Sequence, residues 1–197
     1  MGSDRTGAGV GRLATAVGVV AVLGLICIAL FALVGEPFGT LNDGCVALGA
    51  ILSVGLAWKL YPMTRGNAPV LSLLTLGSNL VGALLAVVGS GLVMFNITGW
   101  FLAGLVTTFG YALIGLWLLR TNLSALGKPA IPRGLARFGM IAGAMSACGL
   151  LAAPGILART DDMGVAPWFV TWSLYVGGLG WNILYTIWCL WLGRYLV

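Results

Sequence analysis

Histidine is absent from this 197-residue chain, and only 8% of its residues are charged. A soluble domain carries about 25% charged residues, so ten basic and five acidic side chains are too few to cover a water-facing surface of this length. Without histidine, haem ligation of the usual cytochrome type, Ser-His hydrolysis and HExxH metalloprotease chemistry are excluded in their ordinary forms. The four cysteines, Cys27, Cys45, Cys148 and Cys189, are scattered and form no CxxC, so neither a zinc site nor a dithiol redox pair is expected. They read as small apolar residues packed among helices. The +5 net charge is spread thinly along the chain and offers no nucleic-acid patch. Clustered acids and bases of the kind a phosphotransferase-type membrane enzyme needs are also missing. The chain is therefore expected to be non-catalytic, with no cofactor and no metal.

What remains is apolar, at 60% hydrophobic residues and a mean hydropathy of +1.05. The medium is lipid, and about 20 apolar residues at 1.5 Å rise cross its core. This predicts an all-α polytopic membrane helical bundle, a single domain over 1–197 in the cell membrane, with spans near 13–35, 44–61, 70–94, 99–119, 138–157 and 168–192. Glu36 to Asp43 form a polar break, Phe95 to Gly99 a tight turn, and Arg120 to Arg137 the longest polar connection, carrying Lys128, Pro129 and Pro132. Asp161, Asp162 and Pro167 mark the last turn.

Charge tests the count. With six spans, Arg5, Arg12, Lys59, Arg65, Arg120, Lys128, Arg133, Arg137 and Arg194 fall on one side, and only Arg159 on the other. Four of the five acids, Glu36, Asp43, Asp161 and Asp162, fall with Arg159. This is a positive-inside pattern with both termini cytoplasmic. A re-entrant second segment would move Lys59 and Arg65 to the acidic side, against that sorting. The first span lacks a clean A-x-A site and is expected to be retained, not cleaved.

Glycine, at 31 copies, organises the rest, because helices in lipid associate through close backbone approach and small residues. Gly139-x-x-x-Gly143, followed by Ser146, marks one face of the fifth span. Ser72, Thr75, Asn79, Gly82, Ala86 and Ser90 share a face of the third, and Gly104, Thr107 or Thr108, Tyr111 and Gly115 a face of the fourth. These stripes are expected to face the bundle interior, as packing faces or as the lining of a narrow polar path. Asn79 and Asn182 are the most polar deep residues, each expected to bond another helix. Ser72, Thr75, Asn79, Thr108, Tyr111 and Asn182 thus form the candidate ligand-binding or polar interior set.

Two further features bear on function. Thr40-x-x-Asp43 reads as a capping box at the start of the second span, whereas Glu36 follows a helix end where the dipole disfavours an anion. On the sixth span Trp172, Trp181 and Trp188 are the expected partner or lipid contacts. Tyr111 to Arg120 also aligns without gaps to Tyr185 to Arg194, sharing Tyr, Leu, Trp, Leu and Arg. This is either a duplicated helical hairpin or convergence, since every helix leaving toward the cytoplasm uses an aromatic and a basic anchor. No ionisable residue sits at a span centre, which argues against ion-coupled transport. The expected role is a non-catalytic scaffold or accessory subunit working with the bilayer, a membrane-protein partner or a second copy. The alternative is a transporter, channel or binding protein for a small neutral or apolar solute.

Overall fold

The computed structural model describes residues 3–64, 68–126 and 131–197. Arg65, Lys128 and Pro129 lie outside the described residues. Among the described residues 87% are helical and no strand occurs. Four uninterrupted helices come first: α1 (Ser3–Val34), α2 (Phe38–Thr64), α3 (Pro69–Met94) and α4 (Trp100–Ala125). The fifth rod, α5, is helical over Arg133–Ala147, tightens to a 3₁₀ turn over Cys148–Ala152 and closes over Ala153–Leu157. The tightening precedes Pro154, which has no N–H to continue the regular ladder. The sixth, α6, runs Trp168–Gly178, loosens into a π-helical stretch over Leu179–Leu184, and continues as Tyr185–Leu196. Five of these helices are long and apolar enough to cross a membrane; α6 is divided by its π stretch.

Several helix ends have identifiable local causes. Gly35, at φ +90°, ends α1 in the left-handed conformation that glycine accepts most readily, and its N–H donates to the Phe31 carbonyl at 2.9 Å. α2 begins earlier than expected, and Glu36 serves its first turn. Its Oε2 accepts from the Thr40 N–H at 3.2 Å and from the Thr40 hydroxyl at 3.1 Å. The capping-box reading of Thr40 and Asp43 is thereby corrected, because both residues lie inside α2. Glu36 faces the favourable dipole end of α2. Across the molecule, Asp161 accepts from the Gly99 N–H at 2.6 Å and the Leu102 N–H at 3.1 Å. It caps α4 from the α5–α6 connection and ties two loops together.

The rods form a ring in chain order, α6 returning to α1 through its second half, with α4 leaning inward to touch α2 and α6 as well. Facing residues run in opposite order along α3 and α4 (Gly82 by Gly110, Gly89 by Thr107), and again along α4 and α5 (Gly115 by Gly143, Thr108 by Gly149). These neighbours are therefore antiparallel. Gly11 meets Val197 and Gly193 meets Thr15, so both chain ends lie at one end of the bundle. The connections 35–37, 95–99 and 158–167 occupy the opposite, hairpin end.

Glycine sets the spacing of the ring. A Cβ built on Gly143 would sit 2.6 Å from the Leu119 nitrogen and 2.8 Å from the Gly115 oxygen. One on Gly110 would sit 2.5 Å from the Gly82 oxygen and 2.6 Å from the Ala86 nitrogen. These are backbone-to-backbone contacts that no rotamer change relieves. Gly77, on the outer face of α3, has open space around it. Gly143→Leu is expected to destabilise the bundle by about 1–3 kcal/mol or more through overpacking, whereas Gly77→Leu leaves it within about 0.5 kcal/mol. Thermal unfolding of the two variants in one detergent compares them directly.

Candidate functional site

The ring is not closed along its whole height. α1 packs against the Tyr185–Leu196 half of α6 and diverges from the Trp168–Gly178 half. Between them, at the hairpin end, a cavity of about 360 Å³ opens beside α2 and α4. Its wall carries Glu36 from the α1–α2 connection, Asn42 and Asp43 from the start of α2, and Trp100 from the start of α4. Phe31 of α1, Thr107 and Thr108 of α4, and Trp181 and Asn182 of α6 complete the wall. Trp181 and Asn182 belong to the π stretch, a distortion that recurs at functional sites.

Beneath lies a second cavity of about 20 Å³, which shares Val46, Trp181 and Asn182 with the first. Tyr111 and Tyr185 line it. Tyr111 stacks on Trp181 with ring centroids 4.2 Å apart and donates its hydroxyl to the Val46 carbonyl at 2.8 Å. That bond crosses from α4 to α2 through an otherwise apolar core. Trp181 Nε1 is buried without a hydrogen-bond partner, and the buried Tyr185 hydroxyl lies beside Ser53 and Cys189. Tyr185 in turn stacks on Trp188, with centroids 6.0 Å apart. An aromatic column therefore descends from the cavity floor to Trp188.

The residues singled out from the sequence divide into three groups. Thr108, Tyr111, Asn182 and Trp181 meet around the two cavities. Ser72, Thr75 and Asn79 line neither cavity. Thr75 returns its hydroxyl to the Leu71 and Ser72 carbonyls at 3.1 and 3.2 Å. Asn79 is completely buried, and neither of its amide atoms has a hydrogen-bond partner; the expected bond to another helix is not made. The third group is the tryptophans. Trp172 is 61% exposed at the hairpin end. Trp188 was expected at a lipid or partner surface but is fully buried, a correction with a clear cause. Its Nε1–H donates to Asn122 Oδ1 at 3.1 Å, and the Asn122 amide donates onward to the Leu118 carbonyl at 2.9 Å.

Sequence reasoning missed Asn122 because α4 was ended at residue 119 on polarity, while the helix continues to Ala125. Gly139 explains the arrangement: a Cβ there would collide with the Asn122 amide and Trp188 Nε1. The first glycine of Gly139-x-x-x-Gly143 thus makes room for a buried hydrogen bond, while the second packs backbone on backbone. The signal for Asn122 was its position seven residues after Gly115, two turns along a face already rich in small residues.

Among the described residues no three metal-ligating side chains cluster. No protein-family model, curated protein or solved structure matches the chain. Its function must be argued from the cavity, the packing and the charges.

Trp188→Phe keeps an aromatic ring, though a smaller one, and removes the donor, leaving the Asn122 carbonyl buried without its Trp188 partner. A loss of about 1–3 kcal/mol is expected. The double variant Trp188→Phe with Asn122→Leu, which removes both partners, is expected to recover part of it. A double-mutant cycle by thermal unfolding measures the coupling.

Proposed function

We propose that this chain is a six-span integral protein of the cell membrane, with both termini cytoplasmic, that acts without catalysis as a scaffold or accessory subunit of a membrane assembly. Six rods in an antiparallel ring, with the chain ends together, agree with the charge sorting that puts Arg5, Arg12, Lys59, Arg120, Arg133, Arg137 and Arg194 on one side. The hairpin end, carrying Glu36, Asp43, Asp161 and Asp162, then faces outward.

The observation that carries the scaffold reading is the closed α3–α4 seam. A neutral solute crossing the bundle would use the small-residue face of α3, yet Gly82 lies on Gly110 and Gly89 on Thr107. Helices packed backbone to backbone form a rigid body suited to presenting surfaces. The surface at the outer rim is aromatic: Trp168, Trp172 and Tyr175 are 74%, 61% and 60% exposed. Such amphipathic rings sit at headgroup level and serve as anchors in protein interfaces. A second reading, binding of a small molecule, is favoured by the cavity between α1 and α6.

Orientation is tested by single-cysteine labelling in whole cells, in a background free of the native cysteines. A probe at Thr40 is expected to react with an impermeant reagent and one at Ser124 to be protected; the opposite pattern reverses the assignment. For function, the chain is purified from its membrane in mild detergent. A partner at fixed stoichiometry is expected, lost in the Trp168→Ala, Trp172→Ala double variant while thermal stability is kept. A monomer eluting alone overturns the scaffold reading.

A further inference from the structure

The hairpin-end acids do not share one role. Glu36 holds the first turn of α2 through Thr40, Asp161 caps α4, and Asp162 closes a turn by accepting from the Gly164 N–H at 2.7 Å. Asp43 holds no helix end and no turn. It lies half-buried in the second turn of α2, on the cavity wall with Glu36. Among the described residues lining that cavity there is no lysine and no arginine. Two carboxylates therefore face one partly enclosed space without a compensating cation, where reduced solvation strengthens their field.

The remaining wall matches that sign. Phe31, Trp100 and Trp181 supply aromatic faces, and an aromatic face attracts a cation, tryptophan most strongly. The floor is apolar and aromatic, ending at the stacked Tyr111–Trp181 pair. Below it Tyr185, 3% exposed, lines the smaller cavity. The divergence of α1 from the first half of α6 opens this space sideways at the hairpin end, which the proposed topology sets in the outer leaflet. A molecule with a charged head and an apolar body collects at that depth.

We propose that this cavity binds a monovalent organic cation with an aromatic or alkyl body, its ammonium held between Glu36, Asp43 and the Trp100 ring, and its apolar part directed toward Trp181. An inorganic cation is a poorer match, because Phe31, Trp100 and Trp181 offer it ring faces where a hard ion takes oxygen ligands. The volume, about 360 Å³, suits a single small amphiphile. The inference goes beyond the scaffold reading and is independent of it, since binding is measured on the isolated protein with no partner present.

The probe is benzyltrimethylammonium, compared with neopentylbenzene, the neutral molecule in which carbon replaces the charged nitrogen. Binding to the full chain in phosphatidylcholine nanodiscs is followed by calorimetry and by tryptophan fluorescence, with empty discs as the blank. The ammonium is expected to bind at least tenfold more tightly than its neutral counterpart. Its affinity should fall at least tenfold in Asp43→Asn, while neopentylbenzene binds wild type and variant alike. Equal affinity for the two probes, no binding of the ammonium at millimolar concentration, or displacement of it by equimolar calcium chloride would each overturn the proposal. Should Asp43→Asn fail to elute as a folded species, the two-probe comparison on the wild-type chain decides alone, since it requires no substitution.

Discussion

Close approach of helix backbones is the constraint on which the rest of this structure depends. Lipid tails are as apolar as leucine, so helices in a bilayer gain little from hiding hydrocarbon against each other. They gain from contact, and contact is densest where no side chain intervenes. α4 illustrates the principle on several sides: it offers Gly110 to α3, Gly115 to α5 and Thr108 to Gly149 and Gly177. Each glycine brings two backbones together and thereby fixes the rotation of both helices. The cross-bundle bond from Tyr111 to Val46 and the bracket of Asn122 with Trp188 exist because that rotation is settled.

The all-helical architecture was legible in the sequence because long apolar helices announce themselves by length and by what they lack. The Phe95–Gly99 turn falls where polarity interrupts the long uncharged run, and the small-residue faces of α3, α4 and α5 are largely buried. Helix ends were less legible. Polarity ended the fourth span at residue 119, but a helix does not stop at an interface if its last turns still pack, and Thr121 and Asn122 are buried by α4 continuing to Ala125. Aromatic residues were the least legible. In water an apolar face points inward by default, whereas in lipid both faces are apolar and hydropathy carries no direction. Trp188 and Trp191 look alike in the sequence, yet one is fully buried and the other 44% exposed.

The cavity could not be read from any run of residues. It depends on two departures from regularity: the π stretch in α6 and the divergence of α1 from the first half of that helix. The wider turn is accommodated where Gly180 lies against the Ser146 backbone. It places Trp181 over Tyr111 while leaving Trp188, two turns on, directed at Asn122. The same distortion that shapes the cavity floor therefore keeps α6 in register with the packed half of the bundle. Firm packing at the terminal end leaves α1 and α6 free to separate at the other.

Charge links this geometry to orientation. Basic residues anchor a membrane helix on the side that retains them, and among the described residues Arg12, Lys59, Arg120, Arg133, Arg137 and Arg194 gather at the terminal end together with both chain ends. That partition leaves Arg159 as the sole basic residue among the hairpin-end connections, and it does not line the cavity. Three of the four hairpin-end acids are absorbed by local structure, as partners of helix first turns or of a tight turn. The fourth, Asp43, stands beside Glu36 on the wall of a partly enclosed space. Under the proposed topology, a negative cavity on the outer side is a consequence of the same sorting that orients the chain. Moving one arginine across to neutralise the cavity would weaken that asymmetry, so the sign of the site and the topology of the protein are coupled constraints on a sequence with very few charges to place.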